Sequence, residues 1–393
     1  MTQNIPGRFI DVHLVQAVPF ANLNRDDTNS VKTAQFGGVN RTRVSSQAWK
    51  RAIRQDIERT LNTRALRTRR VAERLTRYLS TERGWPETLA VRAGIYTVVA
   101  SSVGAEAPKK RGDEPEEGDV PWGTKAMVYI PDTAIAQLAD IAEAHRTALE
   151  TAKETPDLKA KEHLLPTKEI DEILRSRNGI INLLGRMLAE LDDAKVDGAV
   201  QVAHVLTTHE TDSEVDYFSA VDDVTAAWGD SAGSAHMGHA EFSAGTFYRY
   251  ATIDLADLLR NAGEQKAARE LSAAFLAATI FSLPQAKKNS TAPHTAPDLI
   301  AINVRTDRPY SYVAAFEQPV APGPDGGFTT PSIHAIDTYA GALATLLGNR
   351  TAVYTGHAGI GTQYLEHLGI RAASIDDLID GALAAAFESA TNR

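Results

Sequence analysis

Ile10, Val12 and Leu14 fall on one side of the run Phe9 to Val15, the two-residue period of a first strand. A polar loop, Asn22-Leu23-Asn24-Arg25-Asp26-Asp27, leads to Phe36-Gly37-Gly38. The period then lengthens, and Ser45 to about Leu79 reads as helical, with Ser45 or Ser46 placed to cap its start. Residues 101–123, rich in Gly, Pro, Lys and Glu, read as a loop. Asp132 is then expected to cap a helix carrying Ile135, Leu138, Ala142, His145 and Leu149 at helical spacing. From Val200 the period returns to two, with Val200, Val202, His204, Leu206 and Thr208 sharing a face. A second strand-like run covers Thr246 to Leu255. Between them Glu210 to Ala240 is polar, aromatic and glycine-containing, like an insertion projecting from a strand pair. Residues 266–282 form an amphipathic helix and Ile300 to Val304 another strand. Strands separated by helices, and strands paired around an insertion, indicate an α+β fold.

Composition narrows the setting. No apolar run approaches the roughly 18 residues of a membrane helix, and Met1 to Gly7 shows no signal pattern. Cysteine is absent, which removes disulfides and thiolate metal sites. A cytoplasmic protein without a membrane partner is expected. The net charge of −9 is unfavourable to nucleic acid, but its distribution is uneven. Between Arg41 and Tyr78 twelve basic residues face only Asp56, Glu58 and Glu73, while acidity gathers in stretches such as residues 113–119. A basic segment on an acidic chain suggests a localised polyanion site.

Gln47, Lys50, Arg51 and Arg54 stand at i, i+3, i+4 and i+7, on one helical face. Trp49, Ile53 and Ile57 form the opposing apolar stripe, so the helix is docked by one side and offers cations on the other. Its serine-opened N-terminus adds free N–H groups and a positive dipole end, both suited to phosphate. Arg67, Arg70, Arg74 and Arg77 are expected to repeat this arrangement opposite Val71, Leu75 and Leu79. Contacts of this kind give affinity for any nucleic-acid sequence.

Several blocks, in order, make the pattern specific. Asn24-Arg25-Asp26-Asp27, Phe36-Gly37-Gly38, and Arg43-Val44-Ser45-Ser46-Gln47 with Lys50-Arg51 are followed by Gly185-Arg186-Met187. Asp197-Gly198-Ala199, Ala203-His204, Thr207-Thr208-His209, Asp216-Tyr217-Phe218 and Ala220-Val221-Asp222-Asp223 come next. Gly233-Ser234-Ala235-His236, Glu241-Phe242-Ser243 and Phe247-Tyr248-Arg249-Tyr250 complete the set. Together they resemble the CasC-type backbone subunit of a type I-E CRISPR Cascade complex. The likeness covers the first 60 residues and roughly 180–320.

The resemblance implies a hand-shaped, non-catalytic RNA-binding scaffold without cofactor or metal. A modified RRM-like (ferredoxin-like) palm would comprise residues 1–60 and 180–393, helical fingers 61–179, and a thumb hairpin 208–240. Copies would stack along the CRISPR guide RNA and present it for pairing with a target DNA strand. Further partners implied are the 5'-handle cap subunit, the guide-processing endonuclease subunit, and the large and small subunits. RNA contacts are expected from Arg25, Lys32, Arg41, Arg43, Ser45, Gln47, Lys50, Arg51, Arg54, Gly185, Arg186 and Met187. Phe218, Ser219, Val221, His236, Lys287 and Lys288 would serve the thumb and target strand. The family loop after Gly37-Gly38 is often basic, whereas Val39-Asn40 stands here.

Other readings of the same residues stay open. Arg25 could pair with Asp26 or Asp27 in a turn, and Met187 could be a core residue. Phe247, Tyr248 and Tyr250 resemble a base-stacking strand, yet at least two are expected to be packing residues. His204 and His209 with Asp212, Asp216, Asp222, His236 and His239 would be the ligands of a rival metal-dependent nuclease, in which Asp27 or Asp223 could act. Their spacing matches no standard ligand signature. Gly356, Gly359 and Gly361 form no recognised phosphate loop.

Overall fold

The computed structural model describes residues 5–108, 122–158, 163–221, 234–348, 350 and 352–388, with only the backbone of residues 220–221 and 234–236. The acidic stretch 113–119, Asp222 and Asp223 lie outside it. Two compact units form: Met1–Thr60 with Val200–Arg393, and Leu61–Ala199.

The first unit is built on the strand expected from Ile10, Val12 and Leu14. That strand, β1 (Phe9–Ala21), is longer than the pattern suggested. Strands β2 (Thr33–Phe36) and β3 (Val39–Val44) follow, then helix α1 (Ser46–Thr60). The expected helix to Leu79 stops here. Asn62 takes a positive φ of 46°, and Ala65 pairs with Pro131 instead of continuing the turn. Arg67 therefore lies on a strand rather than on the helix of Arg70, Arg74 and Arg77.

The second unit holds that strand, β4 (Ala65–Thr68), and the short strands β5 (Ala105–Glu106), β6 (Gly123–Thr124) and β7 (Val128–Pro131). Its core is helical. Val71, Leu75 and Leu79 pack with Leu89, Val98, Leu138 and Ile170. A further helix of this core, Ala134–Ala144, starts after Asp132, which sits 3.6 Å from Arg74 instead of capping it. Leu188, Leu191 and Ala194 join this core, so residues 180–199, expected with the palm, belong to the helical unit.

On return the chain forms β8 (Val200–Val202), β9 (Val205–Thr207), β10 (Glu214–Val221) and β11 (Ser234–Asp254). Strands β12 (Leu299–Arg305), β13 (Tyr354–Gly359) and β14 (Ile370–Arg371) complete a ten-stranded mixed sheet. Its order is β14-β13-β12-β1-β11-β9-β3-β2, with β8 and β10 also paired to β11. The insertion expected at 210–240 is a hairpin: β10 pairs antiparallel with the first half of β11, and the second half of β11 pairs with β1.

β1 is central and buried on both faces, and its alternation sorts two cores. One face carries Val15, Tyr248, Leu299 and Ala301, covered by Tyr312, Phe316 and helix Thr329–Leu347 through Ile333 and Ile336. Near the opposite edge Val18, Val44, Val205 and Phe247 hold Trp49 of α1. As expected, Phe247 and Tyr248 are packing residues.

Candidate nucleic-acid interface

The start of α1 is fixed twice. The Ser45 hydroxyl accepts a bond from the Ala48 N–H (3.3 Å), and the Ser45 N–H donates to Asn24 Oδ1 (2.8 Å). This cap satisfies one of the helix's orphan donors and ties the helix to the loop after β1. Trp49, Ile53 and Ile57 are buried as the period required. On the other side Gln47 and Arg51 are exposed, Lys50 and Arg54 half-buried. Arg54 lies 3.9 Å from Glu58.

Asp26 shapes the loop. Its Oδ1 accepts from Thr28 N–H (2.9 Å), Thr28 hydroxyl (2.8 Å) and Ser30 N–H (2.8 Å). The Thr28 hydroxyl chiefly holds this carboxyl below its ordinary range. Arg25 therefore has no need of Asp26. Its guanidinium donates to Asn29 Oδ1 (2.8 Å) and remains exposed. A clamp from β11 closes the loop: Glu241 accepts from the Ser30 hydroxyl (3.0 Å) and Val31 N–H (3.2 Å). Asn22 Nδ2 donates to the Glu241 carbonyl (2.9 Å).

Between this loop, α1 and Pro284-Gln285-Ala286 lies an open cleft of about 540 Å³, into which Arg25, Arg51 and Gln55 project. Lys287 follows directly, its Nζ 4.9 Å from the centre of the Phe242 ring, and Lys288 is exposed. Lys32 is half-buried. So is Arg43, whose Nη1 lies 3.3 Å from His204 Nδ1.

Two expected RNA contacts are corrected. Arg41 is fully buried, and its guanidinium donates to the carbonyls of Phe36 (3.2 Å), Thr207 (3.0 Å) and Phe316 (2.9 Å). Arg186 is buried too, spending its N–H groups on five carbonyls, those of Ala194, Tyr129, Leu174, Ser176 and Arg175. Burial among these carbonyls keeps both away from a phosphate. In the helical unit Gly185, at φ 79°, crosses so close to Gly198 that a Cβ would lie 2.7 Å from its nitrogen. Only glycine fits there. The knot formed by Gly185 and Arg186 thrusts Met187 outward, 84% exposed. Met187 is not a core residue.

In the hairpin Phe218 pairs with Gly238, and a Cβ on that glycine would meet the ring at 2.5 Å. The ring thus lies over the bare backbone of its partner strand while half of it faces solvent. Ser219 is exposed and pairs with Met237, also exposed. Val221 pairs with Ser234 and His236 with Ala220; their side chains lie outside the described residues. Among the described residues no three His, Cys, Asp or Glu gather as a metal site.

The family of CT1975-like protein matches residues 10–381. The chain belongs to this family. A chain of a "CRISPR RNA-guided surveillance complex, pre-nicking" is 42% identical, over 96% of this chain and 100% of that one, with a TM-score of 0.87. A chain of a second "CRISPR RNA-guided surveillance complex" is 38% identical, over 96% and 100%, with a TM-score of 0.76. No curated protein sequence is matched. The resemblance to the CasC-type Cascade backbone subunit, read from the motifs, is borne out.

The family blocks acquire physical roles here. Glu241 of the block Glu241-Phe242-Ser243 closes the loop begun by Asn24-Arg25-Asp26-Asp27, through Ser30 and Val31, more than 200 residues away in sequence. Glu241 is visible in the sequence only as part of a block, because a lone carboxylate in a strand gives no local signal of its role. Arg249, read there only as part of a block, holds Trp49 from beneath.

Proposed function

We propose that the chain is a non-catalytic scaffold that binds CRISPR guide RNA and presents it for pairing with target DNA in antiviral defence. The observation that carries this reading is the cleft between the Asp26 loop and α1. Exposed cations, Arg25 and Arg51, and the amides of Gln55 and Gln285 line it, and among the described residues Asp26 is its single carboxylate. Cations without base-reading geometry suit a backbone that must accept any guide. The similar structures agree, each a chain of a CRISPR RNA-guided surveillance complex.

In this reading the large-sheet unit is a modified RRM-like palm, the helical unit the fingers and the β10–β11 hairpin the thumb. Phe247 and Tyr248 are buried, so the guide runs along α1 rather than stacking on the sheet. Lys32, Arg43, Gln47, Lys50 and Arg54 extend the cationic track. Met187 and Phe218 meet bases, and Lys287 and Lys288 meet the target strand. The partners are guide RNA, target DNA, further copies of the chain and the other Cascade subunits, in the cytoplasm. The carboxylates and histidines serve the fold, and no cleavage is expected.

Purification from cells, followed by extraction and sequencing of bound nucleic acid, tests this directly. CRISPR-derived RNA of varied spacer sequence is the expected yield. Absence of RNA, or magnesium- or manganese-dependent cleavage by the pure protein, rejects the scaffold.

A further inference from the structure

The hairpin leaves the sheet where β11 changes partners. Along β11, Phe247 pairs with Thr207, the last residue of β9, and the Thr208 N–H still reaches the Thr246 carbonyl (2.8 Å). There β9 is exhausted. The next donor, Thr246 N–H, finds a side chain instead, His209 Nε2 at 3.1 Å. On the other flank the β1–β11 register slips between Val18, opposite Gly245, and Ala21, opposite Ser243. The long strand is thus irregular at this point, and His209 supplies the acceptor that the ladder lacks.

The ring's protonation follows from its partners. Nδ1 lies 2.8 Å from the Glu210 carbonyl, which can only accept, so Nδ1 carries the proton and Nε2 accepts. Phe328 stacks on the imidazole, ring centres 3.6 Å apart and planes 10° from parallel. A Cβ on Gly245 would stand 3.3 Å from Nε2, so glycine keeps the approach open. The residues on either side clamp the same root: Ser332 Oγ donates to Thr208 Oγ1 (2.8 Å), and Thr211 N–H reaches the Asn40 carbonyl (3.1 Å).

We propose that His209, neutral with its proton on Nδ1 and seated on Phe328, is the positioning residue that sets the direction in which the hairpin leaves the sheet. It replaces a strand carbonyl by an aromatic acceptor that Phe328 holds in place, so the hairpin root is rigid although its ladder is broken. Its consequence for target binding rests on the reading of the hairpin as the element that engages the target strand.

The test uses the full chain assembled on guide RNA, with two variants. His209→Phe keeps the stack on Phe328 and removes the acceptor. His209→Gln restores an acceptor at similar reach. Amide hydrogen exchange across 241–250 and 214–221 reads the hinge, and binding of guide RNA and of a complementary DNA strand reads its use. The expected result for His209→Phe is faster exchange in both segments, unchanged guide binding and about tenfold weaker target binding, the upper range for one hydrogen bond. His209→Gln should return both readouts towards wild type, which a merely space-filling role would not produce. Unchanged exchange in His209→Phe, or a glutamine variant as impaired as the phenylalanine one, overturns the proposal. Faster exchange with unchanged target binding overturns the positioning role. If wild type binds no guide RNA, the functional reading fails, and exchange still decides the hinge.

Discussion

The guanidinium carbon of Arg249 lies 3.9 Å from the centre of the Trp49 indole ring. Arg249 is buried, and its Nη1 donates to Gln16 Oε1 at 2.6 Å. Burial pushes its pKa down to about 9, which leaves it charged at neutral pH. The strand that enters the hairpin therefore grips the buried side of α1, and this grip determines that Lys50 and Arg51 look outward.

That orientation makes the double variant Lys50→Glu/Arg51→Glu informative. Guide binding should weaken alike for all spacer sequences. The slope of log K against log salt should flatten by roughly 1–2, near one contact per residue. Titration of several unrelated guides between low and moderate salt checks this. Loss confined to some sequences points to base reading and removes the assignment.

Arg186 and Met187 are neighbours with opposite assignments. Arg186→Ala leaves five carbonyls in and around the helical core without this donor and should cost on the order of 3–5 kcal/mol of stability. Met187→Ala, at an 84% exposed position, should stay within about 0.5 kcal/mol. Urea unfolding of both variants makes the comparison. A stable Arg186→Ala protein contradicts the anchoring role.

Phe218→Ala should leave the melting temperature and guide binding nearly unchanged, because the ring lies over Gly238 of its own hairpin and half of it faces solvent. Target-strand affinity should fall by roughly 1–3 kcal/mol for lost base stacking. A large melt shift with unaltered target affinity sinks this role.

Two buried neighbours on β1 titrate against each other. Asp11 accepts from Tyr250 Oη (2.8 Å) and Tyr310 N–H (3.0 Å), yet burial raises its pKa from 3.8 to about 6. Burial lowers His13 from 6.5 to about 3. With a raised folded value, Asp11 favours the fold below pH 3.8 and loses that contribution as pH rises to about 6. His13, with a depressed value, contributes fully above pH 6.5 and loses it as pH falls towards about 3. Over the shared window the slopes oppose, each at most about 1.4 kcal/mol per pH unit. Wild-type stability should be nearly flat there. Asp11→Asn should rise with pH and His13→Gln should fall, as urea midpoints across pH 4–6.5 will show.

Local periodicity determined β1, the buried Trp49-Ile53-Ile57 stripe, the outward cations of α1 and the hairpin insertion. Each of these depends on residues within a few positions of one another, where alternation or a 3.6-residue turn leaves a readable trace. The family blocks carried the resemblance for a similar reason, since their residue types survive without any knowledge of their contacts. Arg41, Arg186 and Arg51 look alike in sequence. Only tertiary structure separates them, because the carbonyls around Arg41 and Arg186 are gathered by folding, from as far away in sequence as Phe316 and Tyr129. The end of α1 at Thr60 was equally hidden, since the partner of Ala65 is Pro131. The same holds for Glu241 and His209, whose roles arise where β11 passes from one set of strands to another. A single long strand can belong to two sheets' worth of partners, and which donors that leaves unmet is decided by long-range pairing alone.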